Sequence, residues 1–443
     1  MKIFDLKNTS QKLFLISATN VAIRAMGIVG SVAAIYVLSR ALDASQFGMW
    51  SWLFSIATLI TSQDLGVISA MRIELGKLGA KQDGDDLKNQ QNQLLLSVIQ
   101  GLQVMSTLVV LALVLASYGV VALHAIKAPY TLFAVVVVIA CFSLFGTISA
   151  NALLAFLKED QVVLLDFCRN LMQLGSVACI YFLQVNLDLA VLIFFAPYAL
   201  YSVVGLYLLL KVQQWSFVDF VFAFGNGFQK RCTDFLSLFK LGLPLWAIQL
   251  GAIVFSGSEL IYVGFFTDDA TIGTTAILQR YVNIAIGFTA ASTIPFLGHY
   301  ARRIHQNSSE DRLWLRQKSN LKLGAVLLIG LAYSMLLVSF GQQITEIWSG
   351  QIVENHILYL LIGAVFTVTA MNIIFQLFYQ SNKVYVPVIA AMVFCGLIKL
   401  FGIYLLLNYF QMIGIWMSFL LGNMLFLFFN FFYVRKTLLK AED

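Results

Sequence analysis

Charge is what this sequence has least of. Only 11% of its 443 residues are Asp, Glu, Lys or Arg, against 60% that are hydrophobic. A soluble domain of that length needs a far more polar surface to stay dispersed, which excludes a soluble globular protein. Cysteine is sparse and unpatterned. Cys141, Cys168, Cys179, Cys232 and Cys395 are scattered, four of them inside apolar runs. They have neither metal-ligand spacing nor the look of a disulfide framework, and they read as small buried residues. The four histidines, His124, His299, His305 and His356, stand alone at loop edges, a poor basis for a metal centre or a catalytic triad. No glycine-rich phosphate loop followed by Lys-Ser or Lys-Thr occurs; Gly225-Asn226-Gly227 is too short a likeness. The expectation is a protein that is not an enzyme, needs no cofactor and draws on an ion gradient or the gradient of its own substrate.

The net charge of +6 does not mark a nucleic-acid binder. Lys and Arg lie between apolar runs and not on one face of a globule.

Apolar runs of about 20 residues recur along the whole chain, the length that crosses about 30 Å of hydrocarbon. In lipid such runs must be helical, since the backbone has to satisfy its own hydrogen bonds. The first run reaches about residue 38, carries Arg24 in its middle and lacks a small-residue cleavage pattern. It reads as a membrane helix and not a removed signal. The pattern predicts twelve transmembrane helices at 13–38, 47–71, 93–118, 130–157, 161–184 and 188–210, then 238–265, 270–297, 321–342, 356–380, 384–407 and 411–434. With the N-terminus inside, 22 of the 28 Lys and Arg fall in cytoplasmic segments and only Arg40 and Lys127 in outer loops. This bias places both termini in the cytoplasm. The long polar segments at 72–92, 211–237 and 298–320 are then all cytoplasmic. The outer connections are short, the longest being 343–355, with no room for an external catalytic module. The basic stretch at 299–322 is read as enforcing orientation.

The chain divides six plus six. Residues 1–215 form the expected N-terminal lobe, 216–237 a cytoplasmic linker and 238–443 the C-terminal lobe. A short internal echo agrees: Ile35-Tyr36-Val37 reappears as Ile261-Tyr262-Val263, and Asp43 and Gly48 correspond to Asp268 and Gly273 after a one-residue gap. Parallel six-helix repeats are a common transporter plan.

Seven charges lie in the interior of the predicted helices, away from their end residues. The cations are Arg24, Arg169, Arg280 and Lys399; the acids are Asp64, Asp166 and Glu259. Charge at membrane depth costs several kcal/mol and normally faces a wet cavity or a partner. Arg24 and Arg280 fall near the midplane, one in each lobe, where a guanidinium suits phosphate oxygens. Asp166 and Arg169 stand three apart, a spacing for a local ion pair or a gate. Lys399 sits in the outer half of its helix and is a candidate for the same cationic cavity. Glu259, in the outer third of helix 7, could carry H+ or Na+ for coupling or serve as a helix-end polar group. Asp64 could cap, hinge or pair. Pro197, Pro244, Pro295 and Pro387 fall in or at the ends of helices, with gating bends expected at Pro244 and Pro295.

The run Leu38-Ser39-Arg40-Ala41-Leu42-Asp43-Ala44-Ser45-Gln46-Phe47-Gly48-Met49-Trp50, followed by Asp64-Leu65-Gly66, resembles the first outer loop and second helix of bacterial polysaccharide flippases. These form the O-antigen and exopolysaccharide branch of the multidrug/oligosaccharidyl-lipid/polysaccharide exporter superfamily. The resemblance implies an inner-membrane protein whose substrate is an undecaprenyl-pyrophosphate-linked oligosaccharide, flipped outward by alternating access through a cationic cavity, with ion antiport. Membrane lipid and the polymerase and chain-length regulator of the same pathway are the partners it implies. Three other readings stay open: a drug or metabolite exporter of the same superfamily, which would call for an acidic cavity; a membrane polymerase or glycosyltransferase, which would need a substantial outer loop; and a non-catalytic scaffold of an assembly complex, which would tolerate loss of Arg24 and Arg280.

Overall fold

The computed structural model describes residues 27, 30, 32–61, 66–68, 70–71, 74–75, 90–104, 107, 130–156, 158–215, 228–252, 254–255, 258–293, 303–304, 308–382 and 386–437. Arg24, Asp64 and Pro295 lie outside them.

Every regular element among the described residues is a helix. They are α1 (Val32–Ala41), α2 (Ala44–Thr61), α3 (90–104), α4 (Tyr130–Ala155), α5 (Glu159–Leu183) and α6 (Leu187–Gln213). There follow α7 (Phe228–Ala252), α8 (Glu259–Phe266), α9 (Asp269–Thr293), α10 (Ser309–Ser349), α11 (His356–Asn382) and α12 (Val386–Thr437). Six of these, α4, α5, α6, α10, α11 and α12, are long and apolar enough to cross a membrane. The protein is a multi-pass membrane protein.

Three boundaries differ from the hydropathy reading. The helix expected over 238–265 is described as two, α7 ending at Ala252 and α8 starting at Glu259, with Val254 and Phe255 in a π-helical turn between them. Pro244 lies inside α7, which is bent by 49° between its Arg231–Pro244 and Trp246–Ala252 parts. The helix expected over 321–342 runs instead from Ser309 to Ser349. At about 1.5 Å per residue it is roughly 60 Å long, twice the hydrocarbon thickness. Its first turns are polar. The Ser308 hydroxyl accepts from the Asp311 N–H (3.1 Å) and donates to the Asp311 carboxylate (2.6 Å), while Arg303 reaches the same carboxylate at 2.7 Å. That cap starts the helix well before the apolar stretch. The connection expected at 343–355 accordingly shrinks, since α10 ends at Ser349 and α11 begins at His356. Finally, the last two predicted helices are two arms of α12 that meet at one residue, Gln411, with φ 48° and ψ −129°.

Compactness groups the chain into two units: Met1–Leu42 with Ile56–Gln249, and Asp43–Ser55 with Leu250–Asp443. The first turns of α2 thus belong with the second unit, and most of α7 with the first. An apolar core of the first unit is built on Val67, Met71, Leu95, Ile99, Ile148, Leu153, Leu165 and Leu209. Small residues let its helices close up: a methyl group at Gly205 would come within 3.2 Å of Ser149 Cβ, and Ser202 Oγ accepts from the Gly146 N–H at 3.3 Å.

The second unit is organised around two cores and several polar ties. Tyr359, Phe366, Trp416 and Phe419 fill one core, and Phe375, Phe378, Phe426 and Met392 the other. Between α11 and the second arm of α12 runs a buried amide ladder. Tyr379 donates to Asn430 Oδ1 (2.7 Å), Asn430 to Asn372 Oδ1 (2.8 Å) and Asn372 to the Asn423 carbonyl (3.1 Å); Thr369 reaches Asn423 Oδ1 at 3.0 Å. A second tie centres on Thr345 of α10, whose hydroxyl meets Tyr281 (2.9 Å) and Tyr359 (2.7 Å).

The internal echo in the sequence has a structural counterpart. Asp43 caps α2 by accepting from the Gln46 N–H (2.8 Å), and Asp268 caps α9 by accepting from the Thr271 N–H (2.9 Å). The two capped ends touch. A Cβ at Gly48 would overlap the Asp269 carbonyl, one at Gly273 would lie 3.3 Å from the Gly48 nitrogen, and Ser45 donates to Asp269 Oδ2 at 3.2 Å. Glycine stands at both echoed positions because two backbones meet there.

Candidate functional site

The most buried charges in the described residues form one cluster in the second unit. Lys399, on the first arm of α12, is 0% exposed, and Glu259 is 7% exposed. Lys399 Nζ donates to Glu259 Oε1, and Gln279 of α9 donates to Glu259 Oε2 at 2.7 Å. Phe255 and Phe419 flank the ammonium, their ring centroids 4.7 and 5.6 Å from Nζ. Glu259 falls in the first turn of α8, where the helix dipole favours a carboxylate. Gly422 on the facing arm makes room for the lysine: a methyl group there would come within 2.7 Å of Lys399 Cβ. Each end of the lysine is therefore specified by a different helix.

The expected pair of Asp166 and Arg169 is present in the first unit, at 3.6 Å and roughly one-third exposed on both sides. Tyr201 of α6 completes it, donating to Asp166 Oδ1 at 3.3 Å and receiving the Arg169 guanidinium over its ring at 4.9 Å. Arg280 is partly buried on α9 with its guanidinium carbon 5.4 Å from the Phe54 ring centroid. The structure thus brings Lys399 together with Glu259, and Arg169 with Asp166. The Lys399–Glu259 contact was not anticipated from the sequence, where the two were treated separately. Gln279, Phe255 and Phe419 carry no signal in the sequence that separates them from other core residues. Among the described residues no group of three or more His, Cys, Asp or Glu side chains could hold a metal ion.

No family model matches the sequence, and no curated protein matches it. Solved structures do. A multidrug resistance MATE family transporter of the MOP superfamily, in its inward-facing conformation, aligns over 95% of this chain and 98% of its own, with TM-score 0.74 and 14% identity. This chain has the fold of the MOP-superfamily transporters. The lipid II flippase MurJ, in an inward closed conformation, aligns over 95% of this chain and 87% of its own, with TM-score 0.66 and 13% identity. A MOP transporter from Pyrococcus furiosus, described as having a binding pocket of reversed polarity, aligns over 96% and 95%, with TM-score 0.58 and 15% identity. At these identities the likeness is one of fold: a two-lobe, all-helical transporter architecture shared with drug exporters and a lipid flippase alike.

Proposed function

We propose that this chain is a flippase that carries an undecaprenyl-pyrophosphate-linked oligosaccharide, an O-antigen or exopolysaccharide repeat unit, from the cytoplasmic to the periplasmic leaflet of a bacterial inner membrane. The observation that carries the reading is the disposition of the acids. Both described membrane-depth carboxylates, Glu259 and Asp166, are engaged by cations of their own unit. Neither is offered to a cationic drug. Three membrane-depth cations stand against those two acids, a surplus that favours an anionic cargo. In this mechanism Arg24 and Arg280 hold the pyrophosphate with paired N–H donors while the polyprenyl tail stays in lipid and the protein alternates its access. Lys399 and Arg169 are each already paired, so the direct contact with the cargo falls to Arg24 and Arg280. Asp64, Asp166 and Glu259 are the gating or coupling candidates, with H+ or Na+ as the ion. The fold likeness to a lipid II flippase supports a lipid-linked cargo.

A small-molecule exporter is the second reading, favoured by the higher TM-score of the multidrug transporter. The deciding experiment locates lipid-linked repeat units across the bilayer in cells lacking the protein, complemented with wild type or with Arg24→Ala and Arg280→Ala. Accumulation on the cytoplasmic face that only wild type clears supports the flippase. Repeat units that reach the periplasm without the protein overturn it, and the exporter then becomes the working hypothesis.

A further inference from the structure

We propose that the Glu259 site carries its own permanent cation: the Lys399 ammonium occupies the place that an exchangeable Na+ would take, and removing it converts the site into a Na+ site. The inference bears on how the transport proposed above is driven, yet it stands on the cluster's geometry whatever the cargo is.

The oxygen donors of a cation site are gathered here. Glu259 presents its carboxylate, and Gln279 holds one carboxylate oxygen through its amide, whose own carbonyl oxygen becomes a ligand if the amide turns over. Ser258, the neighbour of Glu259 in the chain, carries a hydroxyl that donates to the Val254 carbonyl at 3.3 Å. That carbonyl in turn lies 2.8 Å from where a Cβ would stand on Gly396, three residues before Lys399. Carboxylate, amide and backbone oxygens are what a hard monovalent or divalent cation takes.

The position against Glu259 is nonetheless filled. Lys399 Nζ bonds the carboxylate directly and lies between the Phe255 and Phe419 rings. The charged and titratable groups around it are few: Glu259 on α8, and Cys395 one turn earlier on the lysine's own arm. Glu259 and Lys399 already cancel. A Na+ ion added beside them would leave a net positive charge in a site walled by aromatic rings, which the desolvation cost opposes. The ammonium is also tethered, so a dissolved ion must displace a partner that cannot leave by diffusion. Na+ coupling through Glu259 is therefore closed in the wild-type protein, which leaves Glu259 the gating role or a proton, and a Na+ ion is carried elsewhere.

The test uses the purified full-length protein in detergent at pH 8, with NaCl exchanged for choline chloride at constant ionic strength and thermal unfolding as the readout. Wild type should unfold at the same temperature in both salts. Lys399→Met should gain a saturable rise in Tm of about 2 °C or more in Na+ over choline, and Glu259→Gln combined with Lys399→Met should lose it. Should the single variant be recovered only when purified in Na+, that dependence is the same result. A saturable Na+ shift in wild type that Glu259→Gln abolishes would overturn the proposal. So would a Lys399→Met protein recovered equally in both salts with no shift. The wild-type arm decides by itself if Lys399→Met folds in neither salt. Because no cargo enters the measurement, its outcome is separate from that of the repeat-unit experiment.

Discussion

Lys399 and Glu259, 140 residues apart in the chain, form a fully buried ion pair that joins the first arm of α12 to the first turn of α8. Gln279 ties α9 into the same contact. Three helices of the second unit are thus held by one carboxylate. Deleting one charge of such a pair strands the other in an apolar surround. Lys399→Ala is expected to lower stability by about 3–5 kcal/mol. Lys399→Met with Glu259→Gln should recover most of that loss, because no net charge remains buried. Thermal unfolding of the three proteins in detergent checks it; equal losses in the single and double variants would refute the argument.

Gly48 should be the least replaceable glycine of the capped helix ends. Gly48→Ala drives a methyl group into the Asp269 backbone carbonyl, which moves only if α9 moves. Gly273→Ala meets the Phe47 ring edge at 3.1 Å, which a small side-chain shift relieves. Alanine at Gly175 or Gly324 meets nothing within 4 Å and should be neutral or gain about 0.5–1 kcal/mol. The expected order of Tm is therefore Gly324→Ala and Gly175→Ala highest, then Gly273→Ala, then Gly48→Ala.

The amide ladder between α11 and α12 invites a double-mutant cycle. Asn372→Ala and Asn430→Ala each break the 2.8 Å bond between them. Coupling between membrane-buried hydrogen-bonding side chains averages about 0.6 kcal/mol and reaches about 1.7. A coupling energy in that range from reversible unfolding is expected, and additivity would mean the ladder is incidental to packing.

Asp311 provides a pH dependence outside the apolar stretch. The Ser308 hydroxyl, and after it the charge of Arg303, holds its carboxyl below the usual carboxylate range. A lowered folded-state pKa means that its contribution is complete above the ordinary carboxylate range and is lost as pH falls through the lowered value. Protection in the first turns of α10, taken as the exchange rate relative to the intrinsic rate at each pH, should therefore fall on acidification in wild type. In Asp311→Asn it should be lower already at neutral pH and respond less to acid.

Ser308→Ala removes the N-cap acceptor of the same helix and should cost about 1 kcal/mol locally. Exchange at the Asp311 amide, which loses its acceptor, is the direct readout.

The sequence alone determined that the chain crosses the membrane repeatedly and that its helices are apolar on all sides. Run length against hydrocarbon thickness decides that without any tertiary contact. It also marked the Asp43/Asp268 and Gly48/Gly273 echo, because capping and close approach select residue types within a few positions. The ion pair of Asp166 and Arg169 was legible for the same reason: one helical turn fixes their separation. Lys399 and Glu259 were visible only as two costly charges, since nothing local says which distant helices will be neighbours. The turn at Gln411 was not legible because hydropathy reports burial in lipid and is blind to backbone geometry. Tertiary structure alone decided that the lysine's charge is spent on the glutamate. Pairing across helices depends on the small residues, such as Gly422, that set how near two backbones come.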